Sequence, residues 1–424
     1  MNCKVCIIAL AVLLFSSCTV FRGIKYGNAS IDDYTVFEQD VVAKGEQVFE
    51  FAQLPENARW LDTIKVGFYS SKLDSTFNVN IYESMEIVDK PAAVVLIQND
   101  TIIYEKYYGG WDKNSKSNIF SVTKSITAML CGIALQDGYI KSLQDPVTDY
   151  IPELRKKDTL FDSLKIEHLL DMTSGLKFNE NYGWNPFSKM ARLYMGNNAF
   201  KVVKGMKFIH KPGEYHHYDS MTSAILGIVI ERATGTPYAQ YLSEKVWQPL
   251  GMEQDASMSL DSKKHRVAKA YGGLTTNVRD LAKVGKLYID GGKWNGKQII
   301  DSAFVARTLS QHLSGITKKD TYSYSWYWGN INRREFPSED SLLAYYSDAG
   351  NLPPGVEYFG RWRERKTGKC RAILHMGGFW GFGLYGQVLY INPKRNFIGV
   401  FLGADRIEDW QYVFEKIILK LENE

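Results

Sequence analysis

The sequence SVTKSITAMLCGIALQDG at residues 121–138 combines a Ser-x-x-Lys motif with a long apolar run. That run is long enough for a helix and too long for a typical strand. An Asp-Gly pair closes it with a turn signal. Residues three apart lie on the same face of a helix. The pattern therefore predicts a helix on which the Ser121 hydroxyl can meet the Lys124 amine.

This pair suits nucleophilic catalysis, because a serine hydroxyl attacks well only when a neighbouring base takes its proton. Partial burial lowers the pKa of a lysine and turns it into such a base near neutral pH. The helix N-terminus adds N–H groups that suit an oxyanion. An ordinary surface helix start is the alternative for a lone motif. A second copy, Ser174 to Lys177, has no apolar helix behind it.

The first residues have the pattern of an export signal. Lys4 precedes an apolar core from Ile7 to Phe15, which is too short to span a bilayer comfortably, so residues 1–17 are predicted to be a signal peptide. Small residues before Cys18 resemble a bacterial lipoprotein processing site. We expect an exported cell-envelope protein, facing the periplasm or the outer surface, with a membrane lipid anchor at Cys18. A plain secretory signal is the alternative.

Composition excludes several classes of protein. The formal charge of +4 is spread over 424 residues without a basic stripe, which argues against nucleic-acid binding. Of five cysteines, only Cys131 and Cys370 lie beyond the leader region, and we expect both to be free thiols. Neither cysteine spacing nor histidine spacing indicates a metal site, and the adjacent His216 and His217 are expected to be structural. We expect no cofactor.

The remaining chain is expected to form a tether and N-terminal extension at 18–85, followed by one domain at 86–424. Residues 92–107 read as a β-hairpin. A mostly helical insert is expected at about 140–260, and strands follow it. Strands from both chain ends predict one antiparallel sheet with helices packed on it, which is an α+β fold.

Three further expectations concern the C-terminal third of the chain. The aromatic residues at 322, 324, 326 and 328 alternate as a strand would. Residues 331–360 read as a charged surface insertion. An amphipathic helix is expected from Trp410 to Leu421. In addition, Lys366-Thr367-Gly368 is interpreted as a hairpin turn.

Two more motifs support the first one. Tyr218-Asp219-Ser220 begins another apolar helix, which ends at a Gly stop. His375-Met376-Gly377-Gly378 lies on a predicted strand, and its glycines let a substrate approach the backbone.

With Ser121-x-x-Lys124, these motifs resemble the serine β-lactamase-like hydrolases over about residues 90–405. That family includes class C β-lactamases, D-alanyl-D-alanine carboxypeptidases, esterases and 6-aminohexanoate-dimer hydrolases. The two later motifs stand in place of its Tyr-x-Asn and Lys-Thr-Gly.

The resemblance implies a role for each matched residue. Ser121 would form an acyl-enzyme, with Lys124 and Tyr218 as acid and base, and which of the two is the base stays open. The backbone N–H groups of Ser121 and Gly378 would form the oxyanion hole. The remaining candidates would bind substrate or line the cleft: Ser220, His375, Gly377, Tyr182, Trp184 and Trp380. A hydrogen bond near Tyr218 is the alternative for His375, and ordinary core packing is the alternative for the three aromatic residues. Asp219 is expected to be a loop residue.

Two departures from the family pattern bear on the substrate. Ser220 replaces Asn, and His375 replaces a Lys that would favour a substrate carboxylate beside the scissile bond; a histidine charge depends on pH. Both resemble the esterase and amide-hydrolase branch. We therefore expect hydrolysis of a small amide or ester. A penicillin-binding D-alanyl-D-alanine carboxypeptidase or class C-like β-lactamase is one alternative, and a non-catalytic cell-envelope binding protein is the other. The oligomeric state stays open.

Overall fold

The computed structural model describes most of the chain, namely residues 22–23, 25–55, 65–70, 75–80, 91–182, 185, 187–310, 322–348, 357–363, 367–403, 414 and 417. The predicted signal peptide, Cys18 and Trp184 lie outside these residues. Among the described helices, none has the length and apolar character needed to cross a bilayer.

The helices and strands follow the order expected of an α+β chain. The helices are α1 (Val122–Gln136), α2 (Ile166–Leu170), α3 (Lys189–Tyr194), α4 (Ala199–Lys204), α5 (Ser220–Thr234), α6 (Tyr238–Leu242), α7 (Val278–Ile289), α8 (Ser302–Thr308) and α9 (Glu339–Tyr346). The strands are β1 (Gln39–Val42), β2 (Ala52–Gln53), β3 (Lys65–Ser70), β4 (Ser75–Asn80), β5 (Pro91–Gln98), β6 (Thr101–Tyr107), β7 (Ser117–Asn118), β8 (Ala256–Ser259), β9 (Leu274–Thr276), β10 (Lys293–Trp294), β11 (Lys297–Gln298), β12 (Tyr322–Ser323), β13 (Trp326–Phe336), β14 (Glu357–Arg363), β15 (Cys370–Gly383), β16 (Gln387–Asn392) and β17 (Phe397–Gly403).

The chain divides into two compact units, each built from separated segments. The first comprises Met1–Glu46, Lys116–Pro249 and Gln254–Thr276. The second comprises Gln47–Ser115, Leu250–Glu253 and Asn277–Glu424.

The first unit is mostly helical and is organised around α1. The residues of α1 from Val122 to Ala134 are all buried, so this largely apolar helix also buries the polar side chains of its first turns. It packs against α5, which ends at Gly235 with a positive φ of 66°. Between residues 140 and 260 the described structure contains α2 to α6, followed by strand β8.

A small antiparallel sheet in the first unit has the strand order β1-β8-β9-β7. Strand β1 comes from the segment expected to be a tether, and it pairs with β8 from Gln39↔Ser259 to Val42↔Ala256. Strand β7 pairs with β9 just before the chain enters α1. The described part of the N-terminal extension up to Glu46 therefore belongs to this unit, and the part from Gln47 onward belongs to the second.

The second unit contains a nine-stranded sheet with the order β12-β13-β15-β16-β17-β5-β6-β2, and β14 also pairs with β15. Its pairs are antiparallel except for the short parallel β2–β6 pair. Strands from both chain ends thus share one sheet. Helix α7 packs on it closely, because a Cβ on Gly285 would lie 3.0 Å from side-chain atoms of Ile391 and Ile398. These observations confirm the α+β prediction.

The hairpin expected at residues 92–107 is present as β5 and β6. Its two-residue turn, Asn99-Asp100, has φ values of 50° and 59°. Both residues tolerate this left-handed backbone, and such turns match the twist of paired strands. The two remaining body cysteines are free and buried, as expected.

The aromatic residues at 322, 324, 326 and 328 are all buried and belong to the structural core, but the stretch forms two strands and not one. Tyr324 and Ser325 form a tight turn with φ values of 41° and 66°, and they join β12 to β13. The alternation of aromatic residues did not reveal this turn, because Tyr324 lacks the Gly or Asn that usually marks one.

Residues 331–360 are only partly the surface insertion expected. Within their described part, β13 and β14 both pair with β15 and so belong to the sheet, while α9 lies between them in sequence. Part of the charged composition lies in the first turn of α9, which contains Glu339 and Asp340. The expected C-terminal helix lies mainly outside the described residues, although Phe414 and Ile417 are helical and buried.

Candidate active site

The chain enters α1 through a strained residue. Phe120 is buried and has a φ of 44°, which is a genuine outlier for a bulky side chain. Its N–H donates to Asn118 Oδ1 at 3.2 Å. Ser121 follows as the N-cap of α1. Such strain persists only where surrounding structure holds it, and it clusters at functional sites.

Lys124 is buried one turn along α1, and its amine is bound on two sides. Nζ donates to Ser121 Oγ at 2.9 Å and to the Tyr271 backbone oxygen at 2.8 Å. Burial lowers the pKa of Lys124 to about 8, against smaller opposing effects of Glu180 and Asp219. A lysine in this state can accept a proton near neutral pH.

The Tyr271 carbonyl is held by a tight turn before β9. The N–H groups of Gly272 and Gly273 donate to the Lys269 oxygen at 2.9 and 2.8 Å. A Cβ on Gly273 would lie 2.7 Å from Lys269 Cβ, so the turn needs glycine there. The Tyr271 hydroxyl donates to the Leu193 oxygen at 2.9 Å. The Tyr271 residue, whose carbonyl accepts from Lys124, is therefore held both by this turn and by its own side chain.

Tyr218 completes the group around the serine. Its phenol is hydrogen-bonded with the Ser121 hydroxyl, and Lys124 Nζ lies 5.0 Å from the centre of its ring. Burial raises the pKa of Tyr218 above its usual value, the Glu180 charge adds to this, and the Ser121 hydrogen bond opposes it. The phenol is thus neutral at physiological pH and can relay a proton.

Asp219 and Ser220 begin α5 directly after Tyr218. Asp219 is the N-cap of the helix rather than a loop residue, and it accepts from the Thr222 N–H at 2.7 Å and the Thr222 hydroxyl at 2.8 Å. Burial raises the pKa of Asp219 to about 6. This cap fixes where α5 starts and so fixes the backbone beside Tyr218.

Ser220 is held by a residue that the sequence reasoning did not select, Glu180. The Ser220 N–H donates to Glu180 Oε2 at 2.8 Å, and the Ser220 hydroxyl donates to Oε1 at 2.5 Å. Tyr182, whose side chain is 47% exposed, also donates its hydroxyl to Oε1 at 2.5 Å. No motif spacing marks Glu180, since it lies in the loop after the second Ser-x-x-Lys copy.

The third motif lies on β15 in the second unit. His375 is paired with Glu357 in the backbone register of β14 and β15, and its side chain lies outside the described part of the structure. The register of β15 shifts just after this point, so residues 375–378 form a bulge opposite β13. Gly377 has a φ of 81°. A Cβ on Gly378 would lie 2.2 Å from the Tyr390 hydroxyl, so only glycine fits. The oxyanion pairing of Gly378 with Ser121 stays a prediction.

Trp380 packs in the core of the second unit, and its contact with substrate stays a prediction. It belongs to a buried cluster in the second unit and stacks on Tyr390, with ring centres 6.4 Å apart. Thr367 and Gly368 lie between the paired strands β14 and β15, where Gly368 has a φ of 74°, so the interpretation as a hairpin turn is confirmed for these two residues, and Lys366 lies outside the described residues.

The second Ser-x-x-Lys copy has a structural role. The Ser174 hydroxyl accepts from Thr222 Oγ1 at 3.1 Å, while Lys177 is exposed. The exposed His217 contacts the Phe178 backbone oxygen through Nε2 at 3.1 Å. Among the residues that the structure describes, no three His, Cys, Asp or Glu side chains are grouped to hold a metal ion.

An α+β fold with a buried Ser-x-x-Lys helix and a tyrosine at its serine defines a serine hydrolase of the β-lactamase and transpeptidase type. Residues 88–416 match the family model "Beta-lactamase". The chain belongs to the beta-lactamase family.

This chain is similar to known proteins that have been given different names. The chain is 24% identical to the 6-aminohexanoate-dimer hydrolase of Paenarthrobacter ureafaciens over 326 residues, which cover 74% of this chain and 72% of that protein. A Bacillus anthracis structure described as a candidate 6-aminohexanoate-dimer hydrolase has a TM-score of 0.69 at 20% identity and covers 95% of both chains. The D-alanine carboxypeptidase AmpC of Burkholderia cenocepacia has a TM-score of 0.53 at 16% identity, with 81% of this chain and 97% of that chain covered.

Proposed function

We propose that the protein hydrolyses a small amide or ester through an acyl-enzyme on Ser121. The observation that carries the proposal is that the Ser121 hydroxyl meets both the Lys124 amine, at 2.9 Å, and the Tyr218 phenol. A nucleophile in contact with its base, and a base held by a third group, is the arrangement that covalent catalysis needs. Here the third group is the Tyr271 carbonyl.

In the acylation step, Ser121 Oγ attacks the substrate carbonyl carbon and gives up its proton to neutral Lys124. The pKa of about 8 leaves a useful neutral fraction of this lysine near pH 7.5. Tyr218, whose pKa is raised, stays protonated and passes its proton to the leaving alcohol or amine while it receives one from Lys124. The carbon–oxygen or carbon–nitrogen bond breaks, and the acyl group remains on Ser121.

In the deacylation step, water attacks the same carbonyl carbon and loses its proton to the Tyr218–Lys124 pair. The ester bond to Ser121 breaks, and the serine oxygen takes the proton back. The backbone N–H groups of Ser121 and Gly378 would stabilise the oxyanion in both steps. Loss of one such donor typically lowers the rate by about 10²–10³.

Turnover of a substrate panel tests the proposal. A short 4-nitrophenyl ester, a 4-nitroanilide and a fluorescent penicillin are compared on wild type, Ser121→Ala and the matched control Ser174→Ala. We expect the ester to turn over in wild type and Ser174→Ala but not in Ser121→Ala. Tight penicillin labelling without ester turnover would favour a penicillin-binding carboxypeptidase. The absence of every reaction would favour a non-catalytic binding protein.

We propose in addition that the protein is exported to the cell envelope and anchored by a lipid on Cys18. The support is the sequence alone, an apolar core followed by small residues before a cysteine. Metabolic labelling with an alkyne fatty acid should mark the wild-type protein in the membrane fraction. The Cys18→Ser variant should remain unlabelled. An unlabelled wild type would contradict the proposal.

A further inference from the structure

The Glu180 carboxylate lies beside the catalytic group and is fixed by three hydrogen bonds. It accepts from the Ser220 N–H, the Ser220 hydroxyl and the Tyr182 hydroxyl, at 2.8, 2.5 and 2.5 Å. Charge-assisted bonds of this kind are about twice as strong as neutral ones. The carboxylate therefore stays in place without a cationic partner among these three contacts.

This arrangement changes what position 220 offers to a substrate. The Ser220 hydroxyl hydrogen points to Glu180, so it is not available for donation to a substrate carbonyl or carboxylate. The charge of Glu180 also reaches the catalytic residues, because it opposes the effect of burial on Lys124 and adds to it at Tyr218. A fixed negative charge thus faces the place where the acyl group is transferred.

We propose that Glu180 is a specificity-determining residue, whose charge disfavours substrates with a carboxylate beside the scissile carbonyl and favours uncharged or cationic ones. This inference rests on the proposed function and names the substrate class of that same site.

The balance of charges around the serine supports this assignment. The charges that act on Lys124 are those of Glu180 and Asp219, and the raised pKa of about 6 leaves Asp219 mostly ionised near pH 7.5. Lys124 must be neutral to act as the base. In the reactive state, the described groups that act on Lys124 therefore present negative charge, and an anionic acyl group meets repulsion from them that a neutral one does not.

A matched pair of esters tests the inference. Mono-4-nitrophenyl glutarate carries a carboxylate, and its methyl ester has the same chain without the charge. After subtraction of the spontaneous rate, the ratio of kcat/KM for the neutral over the anionic ester is measured in wild type, Glu180→Gln, Glu180→Asp and the exposed control Glu244→Gln. We expect Glu180→Gln to lower this ratio by about tenfold or more, and the other two variants to keep it near the wild-type value.

The pH profile gives a second reading from the same variants. Loss of the Glu180 charge removes an effect that raises the pKa of Lys124, so the acid limb of kcat/KM should move to lower pH in Glu180→Gln. A merely structural role for Glu180 would change rates without moving this limb. An unchanged ester ratio together with an unmoved limb would overturn the inference.

If Glu180→Gln does not fold, the inference can be tested on the wild-type protein alone. Added salt screens charges, so the ratio of neutral to anionic ester should fall as ionic strength rises from about 0.02 to about 0.5 M. A ratio near one at low salt would overturn the inference while ester turnover upheld the proposed function. Failure of both esters to react would instead contradict the proposed function.

Discussion

Replacement of Lys124 by methionine should make the protein more stable while it removes activity. Burial lowers the pKa of Lys124 from 10.5 to about 8, so carrying its charge in the folded state costs about 3 kcal/mol at neutral pH. Methionine has similar length and no charge. Methionine cannot make the two hydrogen bonds that Lys124 donates to Ser121 Oγ and the Tyr271 backbone oxygen, and their loss offsets about 1–2 kcal/mol of the gain. We expect a net gain of about 1–2 kcal/mol at pH 7.

The pH dependence of this gain follows from the direction of the shift. The folded-state pKa lies below the unfolded-state value, so the unfolded chain binds more protons between about pH 8 and 10.5, and wild-type stability rises through that window. The variant lacks this group. Its advantage in unfolding free energy should therefore shrink by about 2 kcal/mol from pH 7 to pH 9.5.

Urea unfolding at the two pH values measures this difference, with tryptophan fluorescence and circular dichroism as probes. The matched control is Lys177→Met, which removes the exposed lysine of the second Ser-x-x-Lys copy and should show no such pH-dependent gain. Ester hydrolysis should fall by about 10²–10⁴ in Lys124→Met and stay near wild type in the control. A stability difference that does not change with pH would refute the reasoning.

Three further predictions follow from the same geometry. In wild type, kcat/KM for a neutral ester should rise with pH through about 8, as Lys124 loses its proton, and a pH–rate profile measures this; a flat profile would contradict it. Asp219→Ala should cost about 1–2 kcal/mol of unfolding free energy through loss of the cap, whereas Asp219→Asn should cost far less, and urea titrations of the two distinguish them. Gly378→Ala should destabilise by about 1–3 kcal/mol, because its Cβ would lie 2.2 Å from the Tyr390 hydroxyl. Thermal unfolding compares this variant with Gly205→Ala, where an added Cβ meets nothing closer than 3.4 Å. Equal losses of stability in the two variants would count against the clash.

The local parts of the fold follow well from the sequence. Helix α1 is set by an apolar run between a Ser-x-x-Lys motif and an Asp-Gly stop, and the Ser121–Lys124 contact follows from helix periodicity. The β5–β6 hairpin is set by two apolar strands and a turn of Asn and Asp. The α+β class follows from strands at both ends of the chain.

The parts that depend on contacts distant in sequence do not follow from it. Glu180 reaches Ser220 across 40 residues, and no spacing rule connects them. The Tyr271 carbonyl is a backbone group that any residue supplies, so its role leaves no mark in the sequence. The packing of Trp380 on Tyr390 does not follow from the sequence either, because an aromatic side chain suits a cleft and a core equally well.

The central claim is that Ser121 is the nucleophile of this site. The most direct measurement is intact mass and peptide mapping after reaction with a fluorophosphonate probe, on wild type, Ser121→Ala and Ser174→Ala. A single phosphonate adduct on the peptide that contains Ser121, present in wild type and Ser174→Ala and lost in Ser121→Ala, is the predicted result. An unlabelled wild type, or an adduct that persists in Ser121→Ala, would contradict the account.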